Sequence, residues 1–199
     1  MATSPNSAQG LVPSYVVDPA RSRLLVKATA SGMLSAFGHN PTIAIRRFTG
    51  EAWFRPQAPE QSSLRFDIDA TSLAIAGDVR ETDRQEMDRA MKEEVLEIDR
   101  YREIRFESSG VEANKIAEGM YRITLAGKLS LHGVEKDVQF PCNVTVGEDS
   151  MRANGEFTIR QTDFQIKLVS VAGGTLKLKD ELKFSFDVVA NRRREAANA

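Results

Sequence analysis

The stretch that decides the fold is YRITLAGKLSLH, residues 121–132. Tyr121, Ile123, Leu125, Gly127, Leu129 and Leu131 alternate with Arg122, Thr124, Ala126, Lys128, Ser130 and His132. A period of two puts one set on each face of an extended chain, so this is a long strand with one face buried. Working outward, Val138, Phe140, Cys142, Val144 and Val146 share one face. Met151 to Arg160 and Leu182 to Val189 alternate in the same way. Leu64, Phe66 and Ile68 alternate with Arg65, Asp67 and Asp69, and Ile104 and Phe106 with Arg105 and Glu107. Leu24, Val26 and Ala28 mark a further strand; Phe48, Gly50, Ala52 and Phe54 oppose Arg47, Thr49, Glu51 and Trp53 in another.

These are eight strands. Short links such as His132-Gly133, Glu118-Gly119 and Gly147-Glu148-Asp149 make neighbours antiparallel. Alternation alone is compatible with a sandwich. Strands this long, each with one apolar face, predict an all-β fold closed into an eight-stranded antiparallel barrel, because closure removes exposed edges. Arg80 to Asp99 breaks the period. Met87, Met91, Val95 and Ile98 form a helical stripe against a densely charged face, which predicts one amphipathic helix over about residues 80–99. It either covers one end of the barrel or forms a lid over a ligand mouth. Phe164 to Thr175, with Gly173-Gly174, reads as a short connecting strand or a rim loop.

The composition fits one domain. The chain has 199 residues, 27 Lys+Arg against 28 Asp+Glu and a formal net charge of −1. That argues against disorder and against a basic nucleic-acid binder. One Cys and two His exclude an internal disulfide framework and multi-Cys zinc or iron–sulfur sites. No cofactor is expected. Residues 1–13 and 191–199 read as tails around a single domain at 14–190. No secretory signal and no run of about 18 apolar residues is seen, so the cytoplasm is expected, with the periplasm as the alternative.

Nucleotide-binding, zinc-protease and serine-hydrolase motifs do not occur. Ser130 and His132 share a strand face, opposite Leu129 and Leu131, and so point outward without an orienting acid. Cys142 lies on an apolar face and reads as an inert buried thiol. His39, in Gly38-His39-Asn40-Pro41, sits in a turn. It either meets a head group or fastens the turn to a backbone carbonyl. Arg160 either grips a phosphate with two donors or pairs with Asp163 or a neighbouring strand.

Several motifs stand in order: Tyr15-x-x-Asp18-Pro19, Ser72-Leu73, Leu129-Ser130-Leu131-His132-Gly133-Val134-x-Lys136 and Arg160-x-x-Asp163-Phe164. Over about residues 15–190 the chain resembles the YceI-like family of polyisoprenoid-binding proteins. The resemblance implies a lipocalin-like barrel that holds a long apolar chain, a polyisoprenoid or a fatty amide. The chain departs from the family pattern at Arg21-Ser22, where His-Ser is usual, and at Ser31-Gly32, where a His-x-G-type pair is usual. It departs again at Gln165, where Gly is usual.

The expectation is a non-enzymatic carrier of a lipid-like molecule. Its inward candidates are Val26, Phe48, Phe54, Phe66, Ile68 and Phe106 on the first strands, and Leu125, Val144, Phe157, Phe184 and Phe186 on the later ones. His39 and Arg160 are the head-group candidates. The rival expectation is a packed barrel that serves as a protein-interaction module. Association into a homodimer is compatible with either.

Overall fold

The computed structural model describes residues 13–31, 40–171 and 176–193. Three of its strands are each broken in two. β1 (Ser14–Val17) continues into β2 (Arg23–Ser31) through a single 3₁₀ turn at Pro19–Arg21, which Asp18 caps by accepting from the Ala20 N–H. β3 (Thr42–Ile45) bends at Arg46-Arg47 into β4 (Phe48–Trp53). β5 (Ser63–Asp69) turns at Ala70–Ser72 into β6 (Leu73–Ala76). Unbroken strands follow: β7 (Glu103–Ala117), β8 (Met120–Leu131), β9 (Val134–Val146), β10 (Ser150–Arg160) and, after the short β11 (Ser170–Val171), β12 (Leu176–Arg192).

Around the ring the order is β1, β4, β5, β7, β8, β9, β10, β12, and β12 pairs back onto β1. Every pairing is antiparallel. This is the expected closed eight-stranded barrel. β2, β3 and β6 carry the broken strands past the ring, with β2 held on β12 and β6 left as an outer edge. The strand expected from Leu182 is longer and starts at Leu176. It also ends later than expected. Asn191 and Arg192 pair with Val16 and Tyr15, and so help to close the barrel.

β8 and β9 pair without a break from Met120↔Thr145 to Leu131↔Val134. Their link is the two-residue turn His132-Gly133, with φ of 52° and 73°. Such a turn follows the natural twist of the strands. A Cβ on Gly133 would stand 2.5 Å from the Tyr101 ring, so no larger residue fits there. His132, expected to face outward to solvent, is buried there by the segment after the helix and the turn after β10.

The helix α1 (Glu81–Ala90) runs on through a wider last turn, Met91–Val95, where the Leu96 N–H donates to the Met91 carbonyl at 2.9 Å. It is therefore shorter than the expected 80–99. Its Met91 is buried, and Met87, Val95 and Ile98 pack on the core as the stripe requires. α1 also protects the β6 edge. Asp88 accepts from the Ile75 N–H at 2.7 Å, and Arg84 donates to the carbonyls of Ile75, Gly77 and Val79. Edge groups satisfied in this way cannot template another strand. Beyond the helix, Glu97 meets His132 at 3.0 Å. The helical segment thus reaches from the β6 edge to the β8–β9 turn, across this end of the barrel.

β10 pairs with β9 only from Met151 to Asn154. Past that point a 3₁₀ turn, Gln161–Phe164, packs against β9. Phe164 and Ile166 here are the most completely buried large side chains among the described residues. A bulge in β12 presents Asp180 to this turn. Asp180 accepts from the Thr162 N–H at 2.9 Å, the Thr162 hydroxyl at 2.7 Å and Arg160 Nε at 3.1 Å. The backbone bond from Thr162 leads the causes that hold the Asp180 carboxyl below its ordinary value.

Two outcomes follow. Gln165 has φ 58°, a left-handed conformation that costs a side-chain-bearing residue about 1–2 kcal/mol. Gln165→Gly should stabilise the chain by about 0.5–1 kcal/mol after the entropy of a more flexible unfolded chain, measured by urea denaturation. Asp180 has a lowered folded pKa, so its contribution is complete above the ordinary carboxylate range and is lost as pH falls through the lowered value. Asp180→Asn should therefore reduce stability at neutral pH and flatten the acid limb of the stability–pH curve.

Candidate functional site

The inward faces do not fill the barrel. They enclose a cavity of about 180 Å³. Its walls extend from Ile104, Leu131 and Val138, near the helix-covered end, to Trp53, Ser62 and Ser63 at the opposite end. Among the described residues, Ser62, Ser63 and Ser185 are the only lining residues with a side-chain oxygen. An apolar void of this kind stays dry: engineered cavities of about 150 Å³ hold no water yet accept small apolar guests.

Aromatic rings build one side. Phe140 stacks on Phe157 at 4.5 Å between centroids, and Phe157 on Phe184 at 5.0 Å. Phe106 tilts against Phe140 at 5.2 Å, and Phe186 meets Phe140 edge-on at 6.0 Å. Across the barrel Phe66 stacks on Phe48 at 5.6 Å. Gly50 pairs with Phe66, and a Cβ there would stand 2.6 Å from the ring, so the missing side chain is what admits it. Phe54 meets Tyr121 edge-on at 5.2 Å near the end opposite the helix.

Of the sequence candidates, Phe54, Phe66, Ile68, Phe106 and Leu125 line the cavity, as do Val144, Phe157, Phe184 and Phe186. Val26 and Phe48 do not. Val26 is buried between Ile43 and Phe184 in the β2–β3 extension, and Phe48 lies behind Phe66. Arg160 is exposed and tied to Asp180, not aimed inside. His39 lies outside the described residues. Other lining residues, Ile123, Leu129 and Phe140 among them, share the same alternation and were legible by parity. Trp53 was not, because parity assigns it outward. It lines the cavity at the last residue of β4.

The Ser130–His132 pair does not form. Ser130 stands opposite Glu135 in the hairpin. His132 Nδ1 lies 3.2 Å from the Phe164 carbonyl and Nε2 3.0 Å from the Glu97 carboxylate. Both partners accept, so the ring makes both bonds only when both its nitrogens carry protons. The histidine joins the helix end to the turn after β10. Cys142 is buried in the cavity wall, and burial pushes its thiol up to about 12. Among the described residues no three His, Cys, Asp or Glu side chains gather to hold a metal. No helix there is long and apolar enough to cross a membrane.

The fold defines the class: a closed antiparallel barrel with an apolar, aromatic-lined interior, of a size that can hold one slim ligand. Comparison with known proteins gives the family. The YceI-like domain model matches residues 15–190, and the chain belongs to this family. Among solved structures it is similar to BcnA of Burkholderia cenocepacia, with 20% identity over 87% of this chain and 98% of that one and a TM-score of 0.66. It is also similar to a polyisoprenoid-binding domain from Saccharophagus degradans, with 16% identity, 90% and 98% coverage and a TM-score of 0.63. A third is the YCEI protein of Campylobacter jejuni, with 16% identity, 79% and 88% coverage and a TM-score of 0.58. No match was found among curated proteins.

The buried thiol provides a reporter of the cavity. A water-soluble alkylating reagent at neutral pH should leave Cys142 unmodified in the folded chain and modify it in denaturant, read by mass spectrometry. Rapid modification of the folded chain would mean that water enters the cavity.

Proposed function

We propose that this chain binds and carries a long apolar molecule of the polyisoprenoid or fatty amide type inside its barrel. The observation that carries the reading is the interior cavity of about 180 Å³, lined almost wholly by carbon. Family membership and the likeness to a polyisoprenoid-binding domain support it. The driving force is burial. About fifteen methylenes at ~0.8 kcal/mol each give on the order of 12 kcal/mol, before ordering and association costs. Nothing in this reading needs covalent chemistry. The cavity accepts a slim guest as it stands, and a longer chain enters as half-buried rings such as Phe66 and Phe186 change rotamer.

One observation favours the rival. The Phe140–Phe157–Phe184 stack already fills the β9–β12 side of the barrel, which suits a packed module that works through its surface.

The chain's one tryptophan separates the two readings, because Trp53 lines the cavity. Titration with long-chain isoprenoid alcohols and fatty amides should shift its emission to the blue, and mildly purified protein should carry a co-purifying lipid in native mass spectrometry. Phe66→Arg should weaken uptake by at least tenfold, since it places an unpaired charge in the cavity. Leu125→Trp, which fills the cavity without adding charge, should do the same. Delipidated protein that takes up no member of the panel would favour the packed module.

A further inference from the structure

The outer face of the barrel carries a second concavity, which the cargo reading does not use. Strand alternation turns Thr49 of β4, Asp67 and Asp69 of β5 and Arg105 of β7 outward, side by side. They border a groove of about 750 Å³ at the level where the first strands break, with Pro19 and Thr71 at its rim. This size lies within the range of ordinary small-molecule sites.

The charges in the groove do not balance. Asp67 is taken by Arg65 at 3.1 Å and by Arg105 at 2.5 Å. Asp69 accepts from the Thr71 hydroxyl at 2.6 Å, the leading cause that keeps its carboxyl below the ordinary range, and holds Arg47 at 2.8 Å. Glu103 reaches Arg105 at 3.4 Å. Every carboxylate lining the groove is thus committed. Two further guanidinium groups line it: Arg46, at the bend between β3 and β4, and Arg102, just before β7. Neither has an ion-pair partner among the described residues. Five arginines against three carboxylates leave two positive charges in one groove, on a chain whose formal net charge is −1.

Guanidinium groups offer paired donors at the spacing of phosphate oxygens. The ion pairs fix Arg47, Arg65 and Arg105 in place, so the groove is ordered before a ligand arrives. Its floor includes Ile68, which also lines the interior cavity. We propose that this groove is a binding site for a phosphate-class anion, held chiefly by Arg46 and Arg102. An inorganic pyrophosphate and the head group of a phosphorylated amphiphile share this chemistry. The anion site stands without the carrier reading; only the second source rests on it.

Calorimetric titration tests the site, with inorganic pyrophosphate and hexadecyl phosphate as probes. Pyrophosphate should bind at low ionic strength and more weakly as salt screens the groove. The double variant Arg46→Ala, Arg102→Ala should weaken binding at least tenfold. Both residues are exposed, so its thermal melt should match that of the parent chain. Arg102→Glu, which reverses one charge, should remove binding. Absence of binding by both probes, or equal binding by the double variant, overturns the site.

The second probe separates the sources. If hexadecyl phosphate binds more tightly than pyrophosphate, and Leu125→Trp removes the difference, the groove supports a head group whose chain lies in the barrel. If the two bind alike and Leu125→Trp changes neither, the groove is supported as a free-anion site, and the failure belongs to the carrier reading alone.

Discussion

The barrel closes through a short ladder in which Tyr15, Val16 and Val17 pair with Arg192, Asn191 and Ala190. The ladder joins the first strand to the last, across nearly the whole chain. Without it β1 and β12 would each present an open edge and the ring would become a curled sheet. The inward faces would then reach water, and the apolar interior would lose its reason to be apolar. Val17 and Ala190, members of this ladder, are themselves part of the cavity wall. Closure and cargo space are therefore set by the same residues.

Closure does not treat the two ends alike. At one end the broken strands run on past the ring, and the helix, the His132 junction and the turn after β10 lie across it. Those parts are tied by hydrogen bonds to charged or buried groups, which are costly to break. The opposite end is bordered by the β4–β5 connection, where Trp53, Ser62 and Ser63 line the cavity. Ser62 caps the Arg55 N–H there, a local bond that lets the connection fold back over the rim. An apolar chain that enters beside Trp53 disturbs fewer of these bonds than one that enters beneath the helix.

Much of this was legible in the sequence, because a strand's alternation is a local property. Phe66, Phe106, Phe157 and Phe184 reach the cavity for the reason their parity gives. What parity cannot give is depth. Val26 and Phe48 have inward parity, yet one sits in the extension beyond the ring and the other behind a second ring. Parity also fails where a strand ends or turns. Trp53 departs from it at the end of β4, and His132, in the turn after β8, is buried by the segment after the helix and the turn after β10. The breaks at Pro19, Arg46 and Ala70 fall at one level of the barrel, a relation between three segments that no single segment records.

Those breaks explain why two environments of opposite character lie so close together. A continuous β4 and β5 would carry the outward charges straight along the wall. The bend at Arg46-Arg47 and the turn at Ala70–Ser72 instead fold the wall at the level where β7 begins, since the Ala70 N–H donates to the Arg102 carbonyl at 2.8 Å. That bond holds the Arg102 backbone at the turn after Asp69, on the same groove that Arg46 lines. On the inner side of the same wall Ile68 closes the cavity. The apolar interior and the charged groove thus lie back to back across the thickness of one strand, a pairing that the broken strands create and that an unbroken barrel would lack.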